Sequence, residues 1–89
     1  MARPARPHPR DLTQSWPDTP STSAVGEVAR LFSLNLRAAI GERSLRAAAT
    51  ACELSHVTLA SILDGRAWPD LETIAKLEHG LQTRLWPTA

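Results

Sequence analysis

Several common features are scarce in this chain of 89 residues, and each absence narrows what it can be. A single cysteine, Cys52, cannot close an internal disulfide, and its place in an apolar helical pattern marks it as a small hydrophobe suited to a reducing compartment. Charge of one sign is lacking too. Ten Lys and Arg against nine Asp and Glu leave a formal net charge of +1, so bulk charge announces no polyanionic partner. No apolar run approaches bilayer length, and the basic amino terminus has no apolar signal region behind it, so a soluble, cytoplasmic protein with no membrane partner is expected. His8, His56 and His79 lack metal-ligand spacing with one another or with Cys52, and the acidic residues form no paired-carboxylate pattern. Cys52 and His56 would straddle a turn with the thiol facing inward, which is unsuited to general-base activation. No metal, no cofactor and no catalytic activity are therefore expected.

What remains is enough for one small domain, with 43% apolar residues. Composition divides the chain near Ser23. Residues 1–22 hold five of the seven prolines, which interrupt any regular pattern, so this segment is expected to be a disordered Pro/Arg-rich arm. From Ser23 to Ala89 the pattern is helical. Val25, Val28, Phe32, Leu36 and Ile40 make the apolar stripe of a first helix that Gly41 ends. Ser44 caps a second, Ala-rich helix from Leu45 to about Cys52, and Ser55 caps a third that Gly65 stops. Asp70 caps a fourth, with Leu71, Ile74, Leu77 and Leu81 inward and Gly80 weakening it by roughly 1 kcal/mol relative to Ala. Arg84 to Pro87 reads as an extended segment tucking Leu85 or Trp86 onto the core. Trp16 is expected to be exposed in the tail, whereas Trp68 packs at the core or its edge.

The stretch S-L-R-A-A-A-T-A-C-E-L-S-H-V-T-L-A-S-I-L-D-G, from Ser44 to Gly65, has the layout of a helix-turn-helix, in which one helix crosses another and presents its outer face to a DNA major groove. Ala49 falls at the crossing, where only a small side chain lets the backbones approach, and Cys52, Leu59 and Ile62 fall inward. His56, Val57, Thr58 and Ser61 are left toward solvent or DNA.

With Trp68-Pro69-Asp70 and the fourth helix following, residues 25–87 resemble the phage-repressor-like, or Cro/C1-type, helix-turn-helix regulators of the XRE family. The resemblance implies an all-α, compact, four- to five-helix lambda-repressor-like domain with a disordered N-terminal arm and a short extended C-terminal segment. It implies double-stranded DNA as the partner, read by His56, Val57 and Ser61. There His56 and Ser61 can donate or accept at a base edge, and Val57 suits a thymine methyl. Arg46 and Arg66 fall where the family holds phosphates, Thr58 lies close to the DNA backbone, and Ser55, with the amides that open the third helix, can add a neutral phosphate contact. Three positions depart from its pattern. Glu53 stands at a turn position that is commonly Gly, Leu45 stands where a buttressing glutamine is frequent, and Leu63 takes the acidic position of a buried arginine-glutamate pair for which Arg37 is out of register.

The function implied is that of a small transcriptional regulator, a repressor or Cro-like protein of a phage or mobile element, associated with the nucleoid through DNA. A homodimer on two half-sites is expected, because one helix-turn-helix reads only a few base pairs. Two alternatives stay open: the antitoxin of a toxin-antitoxin pair, holding its toxin, and a protein-interaction module on the same fold. Arg3, Arg6 and Arg10 either follow a minor groove as an extended arm or belong to a passive tail.

Overall fold

A computed structural model describes residues 6–88 and places four α-helices in one small all-α domain, with no strand among the described residues. Each helix begins where a short polar side chain satisfies an orphan amide. In α1 (Ala24–Ile40) Ser23 Oγ accepts from Gly26 N–H, and in α2 (Leu45–Ala51) Ser44 accepts from Ala47 N–H. Ser55 does the same for Thr58 N–H at α3 (His56–Leu63), and Asp70 for Thr73 N–H at α4 (Leu71–Leu81). The core joins Phe32, Leu36 and Ile40 of α1, Ala48 and Ala49 of α2, and Leu59 and Ile62 of α3. Cys52, Leu77, Leu81 and Leu85 complete it.

Two helices overrun this core, which corrects the expected stripes. Val25 is 64% exposed and Leu71 82% exposed, because the first turns of α1 and α4 extend past the residues that pack between helices. Val25 instead lines an open apolar groove with Val28, Phe32, Trp68, Ile74 and Trp86. At the C-terminal end the choice between Leu85 and Trp86 resolves in favour of Leu85. It is buried, while Trp86 stands 55% exposed. Glu78 secures the segment, its Oε2 accepting from Leu85 N–H (2.7 Å) and Trp86 N–H (3.0 Å), and Asn35 donates to the Leu85 carbonyl.

The largest departure is at the amino terminus. From Arg6 onward the expected disordered arm is a strap folded across the domain, because its side chains and backbone find specific partners that its proline-rich composition does not reveal. A 3₁₀ turn over Pro9–Leu12 buries Pro9. The Trp16 indole, expected in solvent, donates its Nε1–H to the Leu63 carbonyl (2.9 Å), and Arg10 N–H donates to the Gly65 carbonyl (2.9 Å). Trp68 Nε1–H donates to the Pro7 carbonyl, with the Arg6 guanidinium 5.2 Å over the Trp68 ring. Arg30, buried on α1, fixes the other end. It grips the Glu27 carboxylate through two nitrogens (2.8 and 2.6 Å) and donates to the Pro17 carbonyl, while Glu27 Oε1 accepts from Ser21 N–H. Arg3 lies outside the described residues.

Gly80 is where the packing of α4 reverses an expectation. A Cβ there would lie 2.5 Å from the Ala51 carbonyl oxygen and 2.7 Å from Cys52 Cα, so the missing side chain is what lets α4 approach the end of α2. Gly80→Ala should therefore destabilise the domain by about 1–3 kcal/mol, as overpacking does, rather than gain helix propensity. Thermal unfolding of the variant measures the sign.

The strap should also loosen in acid. Hydrogen bonding from Arg30 and then from Ser21 N–H holds the Glu27 carboxyl down at about 2, against an ordinary value of 4.5. A depressed carboxyl contributes stability that is full above the unfolded value and is lost as pH falls from about 4.5 toward 2. Glu27→Gln should make the melting temperature fall less steeply across that window, while Glu78, held low by Leu85 and Trp86 N–H, keeps part of the dependence. An unchanged slope in the variant would show that the Glu27 contacts are not formed in solution.

Candidate nucleic-acid interface

The helix pair α2–α3 meets as its small residues dictate. Ala48 and Ala49 are essentially inaccessible, so the α2 backbone lies close to its neighbours, and Leu59 and Ile62 turn α3 inward. The turn between them is a complete C-cap. Cys52 N–H reaches the Ala48 and Ala49 carbonyls, Glu53 N–H the Thr50 carbonyl and Leu54 N–H the Ala49 carbonyl, with Glu53 in the left-handed region at φ 57°. Glu53 thus takes the left-handed backbone that glycine adopts without a Cβ penalty. Cys52 sits behind this turn, buried, and burial pushes its thiol pKa up, which keeps it protonated.

On the outer face of α3, Val57 is 63% exposed and Thr58 is exposed, while His56 and Ser61 are half-buried. These residues lie on one short helix and present one hydrophobic, two hydroxyl and one imidazole group to solvent. Ser55 is less free than its expected phosphate role requires. Its Oγ accepts from Thr58 N–H and donates to Thr58 Oγ1 (2.9 Å), so both hydroxyls are already joined in the cap. Arg46 is exposed on α2, with no ion pair among the described residues. Arg66 is partly neutralised by Asp64, 3.0 Å away and half-exposed.

Of the expected arm residues, Arg6 and Arg10 lie within the described residues and do not form an extended arm. Arg10 is held by its backbone at Gly65, and Arg6 is stacked on Trp68, so neither stands free of the domain. Arg37, out of register for an arginine-glutamate pair, makes a contact that sequence reasoning did not anticipate. Its guanidinium donates to the Leu63 carbonyl (3.0 Å), one turn on from Ser33, whose Oγ donates to the Ile62 carbonyl (3.0 Å). Thus Arg37 does meet Leu63, through the main chain in place of a carboxylate. The signal was present as a polar pair at i, i+4 beside the apolar stripe of α1. Among the described residues no group of His, Cys, Asp and Glu is arranged to hold a metal ion, and no helix is long and apolar enough to cross a membrane.

Compared with protein-family models, curated proteins and solved structures, the chain gives no significant match.

The strain at Glu53 has a measurable consequence. Gly adopts this backbone without the Cβ penalty but loses more entropy on folding, so Glu53→Gly should stabilise the domain by roughly 0.5–1 kcal/mol. A denaturant midpoint at or below that of the parent chain would mean that the turn is not left-handed in solution.

Proposed function

We propose that this chain is a small sequence-specific DNA-binding regulator that sets α3 in the major groove, with His56, Val57 and Ser61 at base edges. Arg46, Thr58 and Arg66 then face the phosphates, with Ser55 adding a contact only through the cap it shares with Thr58. The observation that carries this reading is the α2–α3 pair itself: a short helix buried by Leu59 and Ile62, with Val57 and Thr58 exposed on its other side among the described residues, joined to its partner by a tight cap. Two copies on two-fold half-sites would supply the length of sequence that one α3 cannot read. A repressor or Cro-like role follows most simply, with an antitoxin that binds its own operator as a variant of it.

One observation favours a second reading, a protein-interaction module on the same face. Val57 is prominently exposed and Arg66 is paired with Asp64, so the α3 surface is no more cationic than apolar. The two readings part on salt. Phosphate contacts release counterions, whereas an apolar contact does not.

Selection of bound sites from random duplexes, followed by titration at several salt concentrations, tests the proposal. Arg46→Ala should weaken all duplexes alike and reduce the log–log salt slope by about one unit. Asp64→Asn, which frees Arg66, should tighten binding and steepen the slope. If no duplex is enriched and neither substitution alters binding, DNA is not the partner and the interaction module takes its place.

A further inference from the structure

The strap does more than cover surface: we propose that residues 6–22 set the pose of α3, and that Trp16 is the positioning residue through which they act. The inference rests on the DNA-reading proposal for its functional consequence and on the fold alone for its structural one. Helix α3 has eight residues, about 12 Å of helix, too short to hold an orientation of its own. Its pose is set by what grips it. The inward face is held by Leu59 and Ile62 in the core, and the C-terminal end is held by donors from outside the helix.

Besides the amides of the turn that follows, Ser33 and Arg37 of α1 and Arg10 and Trp16 of the strap donate to this end. Trp16 Nε1–H shares the Leu63 carbonyl with Arg37, and Arg10 N–H takes the Gly65 carbonyl. The Trp16 ring also lies directly on Gly65. A Cβ at that position would fall 2.6 Å from Cε2 and 2.7 Å from Cδ2, so the glycine serves the left-handed turn (φ 69°) and the indole together. The strap cannot slide away freely, because it is fastened on both sides of this contact. Arg30, Glu27 and the close approach of Leu12 and Ser21 to Gly26 hold one side, and the Trp68–Pro7 hydrogen bond holds the other.

The grip falls on main chain and on a glycine, away from the side chains of His56, Val57, Thr58 and Ser61. It therefore governs where the reading face points without occupying any of it. Base-edge hydrogen bonds tolerate displacements of only about 0.5 Å, whereas contacts to a uniform phosphate backbone tolerate more. Loss of the grip should thus reduce discrimination between duplexes before it reduces binding to duplexes in general.

Full-length Trp16→Phe, which keeps a ring over Gly65 and removes the N–H, and Trp16→Ala, which removes both, separate the possibilities. Two readouts are needed: amide hydrogen exchange at Asp64 to Arg66, and the affinity ratio between a selected duplex and a random one. For Trp16→Phe, exchange at these amides should quicken about two- to tenfold, the weight of one hydrogen bond, with α1 and α4 unchanged. The affinity ratio should fall by a similar factor with the salt slope unaltered, and Trp16→Ala should exceed both effects. Equal losses on selected and random duplexes, tracking a lower melting temperature, would make Trp16 merely structural and overturn the proposal. Unchanged exchange in both variants would overturn it as well. If the parent chain discriminates no duplex, the DNA reading fails by itself, and the exchange measurement still decides whether the strap holds α3.

Discussion

The end of α3 is the constraint on which this domain depends. A helix leaves its last four carbonyls without partners, and in a two-turn helix those four are half of the backbone. Here each is answered: Ala60 by Asp64 N–H, Ser61 by Arg66 N–H, Ile62 by Gly65 N–H and Ser33, and Leu63 by Trp16 and Arg37. The donors come from the following turn, from α1 and from the strap, so three separate parts of the chain converge on one helix end. A helix of this length draws most of its stability from packing its apolar face on a neighbour. This one is also tied by its backbone, through contacts that do not use the side chains of His56, Val57 and Ser61.

What was legible in the sequence was local. The caps at Ser23, Ser44, Ser55 and Asp70 and the stops at Gly41 and Gly65 are where the chain order places them, since a cap needs only residues three or four positions apart. The burial of Ala49 and the inward Leu59 and Ile62 were legible for the same reason. Exposure at Val25 and Leu71 was not, because periodicity identifies a face and cannot say how far along a helix the core extends.

The strap was the least legible element. Its order comes from hydrogen bonds that span 47 residues, Trp16 to Leu63, and 61 residues, Trp68 to Pro7, and a proline-rich run offers no period from which to anticipate them. For the candidate interface the same limit applies. The sequence nominates the exposed positions of α3, but the arrival of Arg37 at Leu63, 26 residues on, is a product of tertiary placement, and the local pairs Arg66–Asp64 and Ser55–Thr58 rest on rotamers that no periodicity specifies.

The three tryptophans fall in three different surroundings: Trp16 lies over a glycine at the end of α3, Trp68 lies under a guanidinium beside the strap, and Trp86 stands open at the rim of the apolar groove. With no tyrosine in the chain, near-ultraviolet emission arises from these indoles almost alone. The domain thus carries its own optical reporters, one for each region whose movement matters. Single-tryptophan versions would let the strap, the connection before α4 and the C-terminal segment be watched separately without attaching a dye.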